Sequence, residues 1–345
     1  MGKVTSLDVA ERAGVSRSAV SRVFTPGASV STATRDKVRK AAAALGYRPN
    51  VLARAMNTGR SRIIGLVVAY LENQFYPEAI ERLSKALQAE GYHVLVFMAS
   101  NDEAATQSVI DELLDYQVDA IIAASVGLSN DLTQRCEGLG IPIVLFNRHQ
   151  YDERLTSVTS DNVAGGRKLA EFLVAGGHER IAHIAGWEGA STQIDREAGF
   201  MEGLNAASVP IFARAVGNFD FEKAKQAARD MFTPDTRPDA VFVANDHMAF
   251  AVMDVLRFEL GLRVPEDVSV VGYDDVALAQ WPSYNLTTVR QPANRMVAET
   301  VHALLSRLAG DDTAPRRIAL DGPLIVRASA RIPKAMRSTA CTPKV

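Results

Sequence analysis

Two sets of residues in this 345-residue chain have the types and spacing to do chemistry. The first is Arg17, Ser18, Ser21 and Arg22, which share one side of a short segment wound at helical spacing. Arg donates to guanine edges and phosphates, and Ser reaches phosphates or either base edge, so this set suits a nucleic-acid groove. The second set follows a series of apolar runs: Tyr70 with Phe75 and Tyr76, Ser125, Asn147 with Arg148, Trp187, Asn245 with Asp246, and Asp274 with Asp275. A carboxylate accepts from hydroxyls, an Arg donates to ring or acid oxygens, and an aromatic face covers the apolar side of a ring, so this set suits a small polar ligand. Neither set is a reacting pair. The sequence holds no glycine-rich phosphate loop, HExxH, GxSxG or Cys/His cluster, so enzyme activity and a cofactor are not expected. His178 and His183 straddle a strand start, and the alternation in HERIAHIAG accounts for them without a metal.

The elements that must position the first set are three short helices within residues 4–46. Thr5 or Ser6 caps the first, with Leu7, Ala10 and Ala13 on one face, and Gly14 breaks it. Ser16 caps a second over 17–24 with Val20, Val23 and Phe24 inward; Pro26 and Gly27 end it. Ser31 caps a third, where Val38, Ala41, Ala42 and Leu45 repeat at helical spacing and Gly46 supplies a left-handed stop. Helix, glycine-bearing turn, helix is the layout of a helix-turn-helix.

Charge agrees. Residues 1–60 hold eleven Lys/Arg and three Asp/Glu, a balance of +8, whereas the remaining 285 balance to −10. Only the head is suited to a polyanion. Pro49 then biases Arg48 away from helix, and Asn50 can cap a segment, 51–56, too short to be stable alone.

From residue 62 the pattern changes to short all-apolar strands, 63–71, 93–100, 119–125, 141–147, 180–186, 240–246 and 268–275, separated by helical segments such as 77–90 and 104–116. Such alternation predicts parallel sheets covered on both faces, and about 270 residues require two doubly wound lobes. Ligands bind outside the carboxyl ends of strands in such sheets, which is where the second set falls. Apolar residues make up 47% and charged residues 23%, values of an ordinary globular chain. No apolar run reaches 18 residues, and the first residues lack the apolar core of a secretory signal, so a cytoplasmic protein with no membrane contact is expected. Two cysteines make neither a disulfide framework nor a four-thiolate zinc site.

The stretch VTSLDVAERAGVSRSAVSRVF, continued by VSTATRDKVRKAAAALGYRPN, resembles the headpiece of the lactose/galactose-repressor family of bacterial transcription regulators. The body resembles the family's periplasmic sugar-binding-protein-like effector domain through IGLVVAYLENQFY, GIPIVLFNR, SDNVAGGRKLAEFLVAGGHERIAHIAG, DREAGF, FVANDHMAF, GLRVPEDVSVVGYDD and LTTVRQP. The resemblance implies a repressor whose grip on double-stranded, pseudo-palindromic operator DNA is controlled by a sugar or sugar acid held between two lobes. It implies a DNA interface of Thr5, Ser16, Arg17, Ser18, Ser21 and Arg22 in the headpiece. To these it adds Asn50, Ala53, Arg54 and Met56 in a hinge, with Met56 wedged between base pairs where most relatives place Leu. It implies effector contacts from Phe75, Tyr76, Ser125, Asn147, Arg196, Phe219, Asn245 and Asp274.

The implied division is a headpiece at 1–47, a hinge at 48–61, one lobe from 62–160 and 290–319, a second from 161–289 and 320–333, and a tail at 334–345. Relatives commonly carry Asp where this chain has Asn147, and the lost carboxylate beside Arg148 points toward an anionic ligand. The tail lacks a leucine heptad, so a homodimer is the expected assembly. A secreted sugar-binding protein would share the body but not the basic head.

Overall fold

The structure is a computed structural model that describes residues 4–25, 27–48, 60–99, 103–150, 152, 154–235, 237–311 and 314–337. The chain divides into two compact units, Met1–Arg62 with Gln117–Asp119, and the rest.

The first unit holds α1 (Ser6–Ala13), α2 (Arg17–Val23) and α3 (Thr32–Leu45). Each begins where a short polar side chain accepts a backbone N–H. Thr5 and Asp8 cap reciprocally, Ser16 Oγ accepts from Ala19 N at 3.2 Å, and Ser31 Oγ accepts from Thr34 N at 3.2 Å. Gly14 (φ 67°) and Gly46 (φ 65°) end α1 and α3 in the left-handed region. Val9, Ala10, Val20, Val23, Val38, Ala41 and Ala42 form the buried seam. At the end of the unit, Ser61 N, Ser61 Oγ and Arg62 N all donate to the Asp119 carboxylate at 2.7–3.0 Å.

The second unit contains two six-stranded sheets. The first runs in the order β11 (Arg317–Leu320), β5 (Thr156–Ser160), β4 (Ile143–Phe146), β3 (Ala120–Ala124), β1 (Ile63–Val68), β2 (His93–Met98), all parallel. The second runs β12 (Leu324–Ile325), β10 (Thr287–Arg290), β9 (Ser269–Asp274), β8 (Ala240–Val243), β6 (Ile181–Ala185), β7 (Ala213–Val216), parallel except for the β10–β12 pair. Strands β3, β6 and β8 are buried along their whole length and β1 along all but its first residue, which is why they read as largely apolar runs. The chain passes between sheets after β5, after β10 and after β11.

Helices α4 (Phe75–Ala89), α5 (Glu103–Asp115), α6 (Asn130–Gly138) and α11 (Ala293–Ala309) belong with the first sheet. Helices α7 (Asn162–Ala175), α8 (Ser191–Ala206), α9 (Phe221–Met231) and α10 (Asp246–Asp254) belong with the second; α12 (Lys334–Arg337) closes the described chain. Helices α7 and α8 touch backbone to backbone: a Cβ at Gly166 would lie 2.0 Å from Arg196 O, and one at Gly199 would lie 1.9 Å from Val163 O.

Candidate functional site

In the first unit, the apolar face of α2 is buried and its other face is open. Arg17, Ser18, Ser21 and Arg22 are all exposed there, as the helical spacing predicts. Arg17 Nε donates to Ser6 Oγ at 3.0 Å, tying the first turn of α2 to α1. Thr5 and Ser16 act as helix caps, so their side chains set the helices before touching any partner. Asn50, Ala53, Arg54 and Met56 lie outside the described residues.

In the second unit, most of the candidate effector residues lie at or just beyond the carboxyl ends of the strands, and Asn73 and Asp274 join the two lobes there. On the first lobe, Tyr76 O–H donates to Ser125 Oγ at 2.7 Å, and Asn147 Nδ2 donates to Tyr76 Oη at 3.0 Å. Ser125 (φ 61°) and Asn147 (φ 56°) follow β3 and β4 in left-handed backbone, which turns the chain sharply at the strand ends. Phe75 stacks on Phe146 at 6.2 Å, and Tyr70 meets Tyr76 edge-on at 5.2 Å. Burial pushes the Tyr70 hydroxyl well above its ordinary pKa.

On the second lobe, Arg196 is buried in α8, held by the close α7–α8 contact. Its Nε donates to Asn162 Oδ1 at 2.9 Å, Nη1 to Ala244 O at 2.7 Å and Nη2 to Asp274 Oδ1 at 3.2 Å. The guanidinium lies 3.7 Å from the centre of the Tyr273 ring. Asp274 ends β9 at φ 124°. Gln291 Nε2 donates to the same Asp274 oxygen at 2.7 Å, and Asn73 Nδ2 donates to Oδ2 at 2.9 Å from the opposite lobe. Burial raises the Asp274 carboxyl against the opposing pull of Arg196, and raises Asp246 further, with Asp274 adding to that rise. Asp246 is tied down by Thr288 Oγ1 at 2.7 Å and Val276 N at 3.0 Å.

Asn245 caps α10 through Oδ1, which accepts from Met248 N at 2.9 Å. Phe219 (φ 57°) lies against Gly186, where a Cβ would come within 2.2 Å of its ring. Arg148 lies over Trp187 at 5.0 Å. A further bridge joins the lobes: His149 N donates to Ser191 Oγ at 3.0 Å, His149 Nε2 meets Asp195 Oδ2 at 2.8 Å, and Arg317 contacts both His149 and Asp195.

The structure thus connects Phe75, Tyr76, Ser125 and Asn147 on one lobe, and Arg196 with Asp274 on the other, Asn73 linking across. Sequence reasoning passed over Asn73, Asn162, Tyr273 and Gln291. All four lie within segments already marked by the resemblance, but only the fold shows them converging on Arg196 and Asp274. A groove of about 420 Å³ opens beside Phe75, Asp274 and Gln291. A larger groove of about 650 Å³, lined by Thr133, Glu137, Arg154 and Arg307, contains none of the candidate residues. Among the described residues no group of three or more His, Cys, Asp or Glu could hold a metal, and no helix is long and apolar enough to cross a membrane.

Residues 5–50 match the pattern described as bacterial regulatory proteins, lacI family, and residues 170–330 match the periplasmic binding protein-like domain. The HTH-type transcriptional regulator CelR of Thermobifida fusca is 34% identical over 330 residues, 93% of this chain and 96% of the relative. A solved complex of transcriptional regulator CelR with cellobiose is 33% identical and superposes with a TM-score of 0.72 over 95% of this chain and 100% of that one. The lac repressor dimer bound to operator and the anti-inducer ONPF superposes with a TM-score of 0.85, at 29% identity, over 95% and 99% of the two chains. An exposed Arg/Ser face on a capped second helix, two parallel-sheet lobes with polar strand ends, and likeness along almost the whole chain give one conclusion: the protein belongs to the lacI family of bacterial regulatory proteins, DNA-binding transcriptional regulators and not enzymes.

Proposed function

We propose that this chain is a cytoplasmic repressor that holds a pseudo-palindromic operator as a homodimer and changes its grip when a sugar or similar small polar metabolite binds between its lobes. The observation that carries the DNA half is the joint exposure of Arg17, Ser18, Ser21 and Arg22 on α2, outside a fully formed apolar seam. Thr5 and Ser16 set the helices that present this face, and Asn50, Ala53, Arg54 and Met56 add minor-groove contacts from the hinge at 48–61. The ligand half draws on the strand ends and nearby helices that carry Tyr76, Ser125, Asn147, Arg196, Asn245 and Asp274, flanked by Phe75 and Phe219. A relative whose solved complex holds cellobiose supports a saccharide-like ligand, and a relative solved as a dimer on operator supports the assembly. The division proposed is headpiece 1–47, hinge 48–61, lobes of 62–160 with 290–319 and of 161–289 with 320–333, and tail 334–345.

Operator and effector then compete or cooperate through a coupling of about 1–3 kcal/mol that is reciprocal: whatever factor the effector imposes on operator affinity, operator imposes on effector affinity. The test is binding to a fragment selected from genomic DNA, across a salt series. Neutralising several phosphates predicts a loss of roughly 10³-fold or more between 50 and 200 mM salt, and a flat response defeats the proposal.

A further inference from the structure

The segment that follows β4 is fastened like a strap. Asn147 Nδ2 donates to Tyr76 Oη at 3.0 Å. The Gln150 amide exchanges two hydrogen bonds with Leu128, accepting from its N–H at 3.2 Å and donating to its carbonyl at 2.8 Å. Both ends are thus tied to the first lobe, while the two residues between them are buried against the second. Arg148 and His149 are 3% and 6% exposed. Arg148 lies over the Trp187 ring at 5.0 Å, and His149 N donates to Ser191 Oγ at 3.0 Å.

The His149 ring serves two partners that cannot both be served. Its Nε2 lies 2.8 Å from Asp195 Oδ2, on α8 of the second lobe, and also contacts Arg317 Nη2, on β11 of the first. One ring nitrogen holds either a proton or a lone pair. With the proton it donates to Asp195 and has nothing to offer a guanidinium, which only donates. With the lone pair it accepts from Arg317 and turns that lone pair toward a carboxylate as well. Arg317 Nη2 also stands 3.6 Å from the same Asp195 oxygen, so the guanidinium has a second seat. Asp195 therefore faces the ring from α8 and Arg317 from β11. The Ser191 hydroxyl is uncharged, and Arg148, next in the chain, is directed to Trp187.

We propose that residues 147–150 form a proton-sensitive clasp between the lobes, with His149 as the group that switches. The charged ring carries a proton on both nitrogens, so only the Asp195 arrangement survives, as a charge-assisted bond that spans the lobes. The neutral ring can give Nε2 to Arg317 instead. That contact stays inside the first lobe and leaves Asp195 to a guanidinium whose side chain is 53% exposed, a weak hold across the lobes. Acid fastens the clasp and alkali loosens it. On the regulator reading above, the spread of the lobes, and with it the grip on operator, then depends on pH without any effector.

The experiment measures lobe separation by electron–electron resonance between spin labels at Gln88→Cys on α4 and Glu171→Cys on α7, both exposed positions. The full-length protein carries Cys341→Ser, and labelled chain is diluted with unlabelled chain. The ratio of near to far lobe populations is expected to fall about fivefold from about pH 6 to about pH 8, the scale of one hydrogen bond exchanged for a weaker one. His149→Gln keeps a donor for Asp195 but has no proton to gain, so its ratio should change by less than about twofold over the same interval. Arg317→Ala removes the competitor at an exposed position and should hold the lobes near at both pH values. It decides the matter if a change at buried His149 prevents folding.

Lobe populations that ignore pH in the parent, a pH response retained by His149→Gln, or lobes that separate in Arg317→Ala overturn the proposal. Binding to the operator fragment is followed on the same samples. Operator bound with no clasp response removes only this assignment; a clasp response with no operator bound leaves the clasp standing and removes the regulator reading.

Discussion

Asn73 and Asp274 stand in different lobes, 201 positions apart in the chain, and meet through a buried hydrogen bond of 2.9 Å from Asn73 Nδ2 to Asp274 Oδ2. Asn73 Oδ1 accepts from Phe75 N at 3.1 Å, so the amide is fixed at the start of α4 while it reaches across the cleft. Asn73→Ala removes that donor from a buried carboxylate. A loss of about 1–3 kcal/mol in unfolding free energy is expected, read from urea denaturation at neutral pH. An unchanged midpoint would show that the cross-cleft bond contributes nothing.

Gly166 has no room for a side chain. Its missing Cβ would overlap the carbonyl oxygen of Arg196 at 2.0 Å, and backbone cannot swing aside as a side chain can. Gly166→Ala should push α7 from α8, destabilise the protein by about 1–3 kcal/mol or more, and weaken effector binding because Arg196 is displaced. Thermal melts and calorimetry on the same variant check both effects.

His183 supplies a pH signature. It is buried between Phe200 and Phe242, with Nδ1 placed to donate to Phe242 O at 3.0 Å, and burial drives its pKa from 6.5 down to about 4. The unfolded chain takes up a proton near pH 6.5 and the folded chain only near 4. Stability is therefore fully present above about pH 6.5 and declines as pH falls toward 4, by on the order of 3 kcal/mol from this residue. His183→Gln should flatten that part of the stability–pH curve; an unaltered slope would place the acid sensitivity elsewhere.

Arg22 is exposed in the last turn of α2 and its removal leaves the apolar seam intact. Arg22→Ala should weaken operator binding by about 1–3 kcal/mol if it reads a base, or lower the salt slope by about 1 if it holds a phosphate. Fluorescence anisotropy across a salt series separates the two. Operator affinity equal to that of the parent would remove Arg22 from the interface.

The headpiece was legible almost residue by residue, because caps and stops are local: Thr5, Ser16, Ser31, Gly14 and Gly46 fall where their side-chain chemistry or backbone freedom demands. The central strands were legible because burial on both faces makes them largely apolar runs. Strand β5, TSVTS, escaped notice since its Thr156, Ser157, Thr159 and Ser160 are polar by sequence yet buried in the sheet. Strand β7 escaped because an edge strand alternates with Arg214 outward and is only four residues long. Within the cleft, Arg196 and Asp274 stood out by type. Their partners Asn73 and Gln291 did not, since an amide far along the chain announces no contact until the crossovers bring it there.

The left-handed backbone at Ser125, Asn147 and Asp274 has a consequence for descent. Most side chains carry a strain cost at positive φ, as Phe219 does here at φ 57°, whereas Gly, Asn and Asp adopt it most readily. Drift at these three points is thereby biased toward those residues. A lineage of this protein that switched to a greasy metabolite would have to recruit its new contacts from the intervening loops, leaving the strand ends as they are.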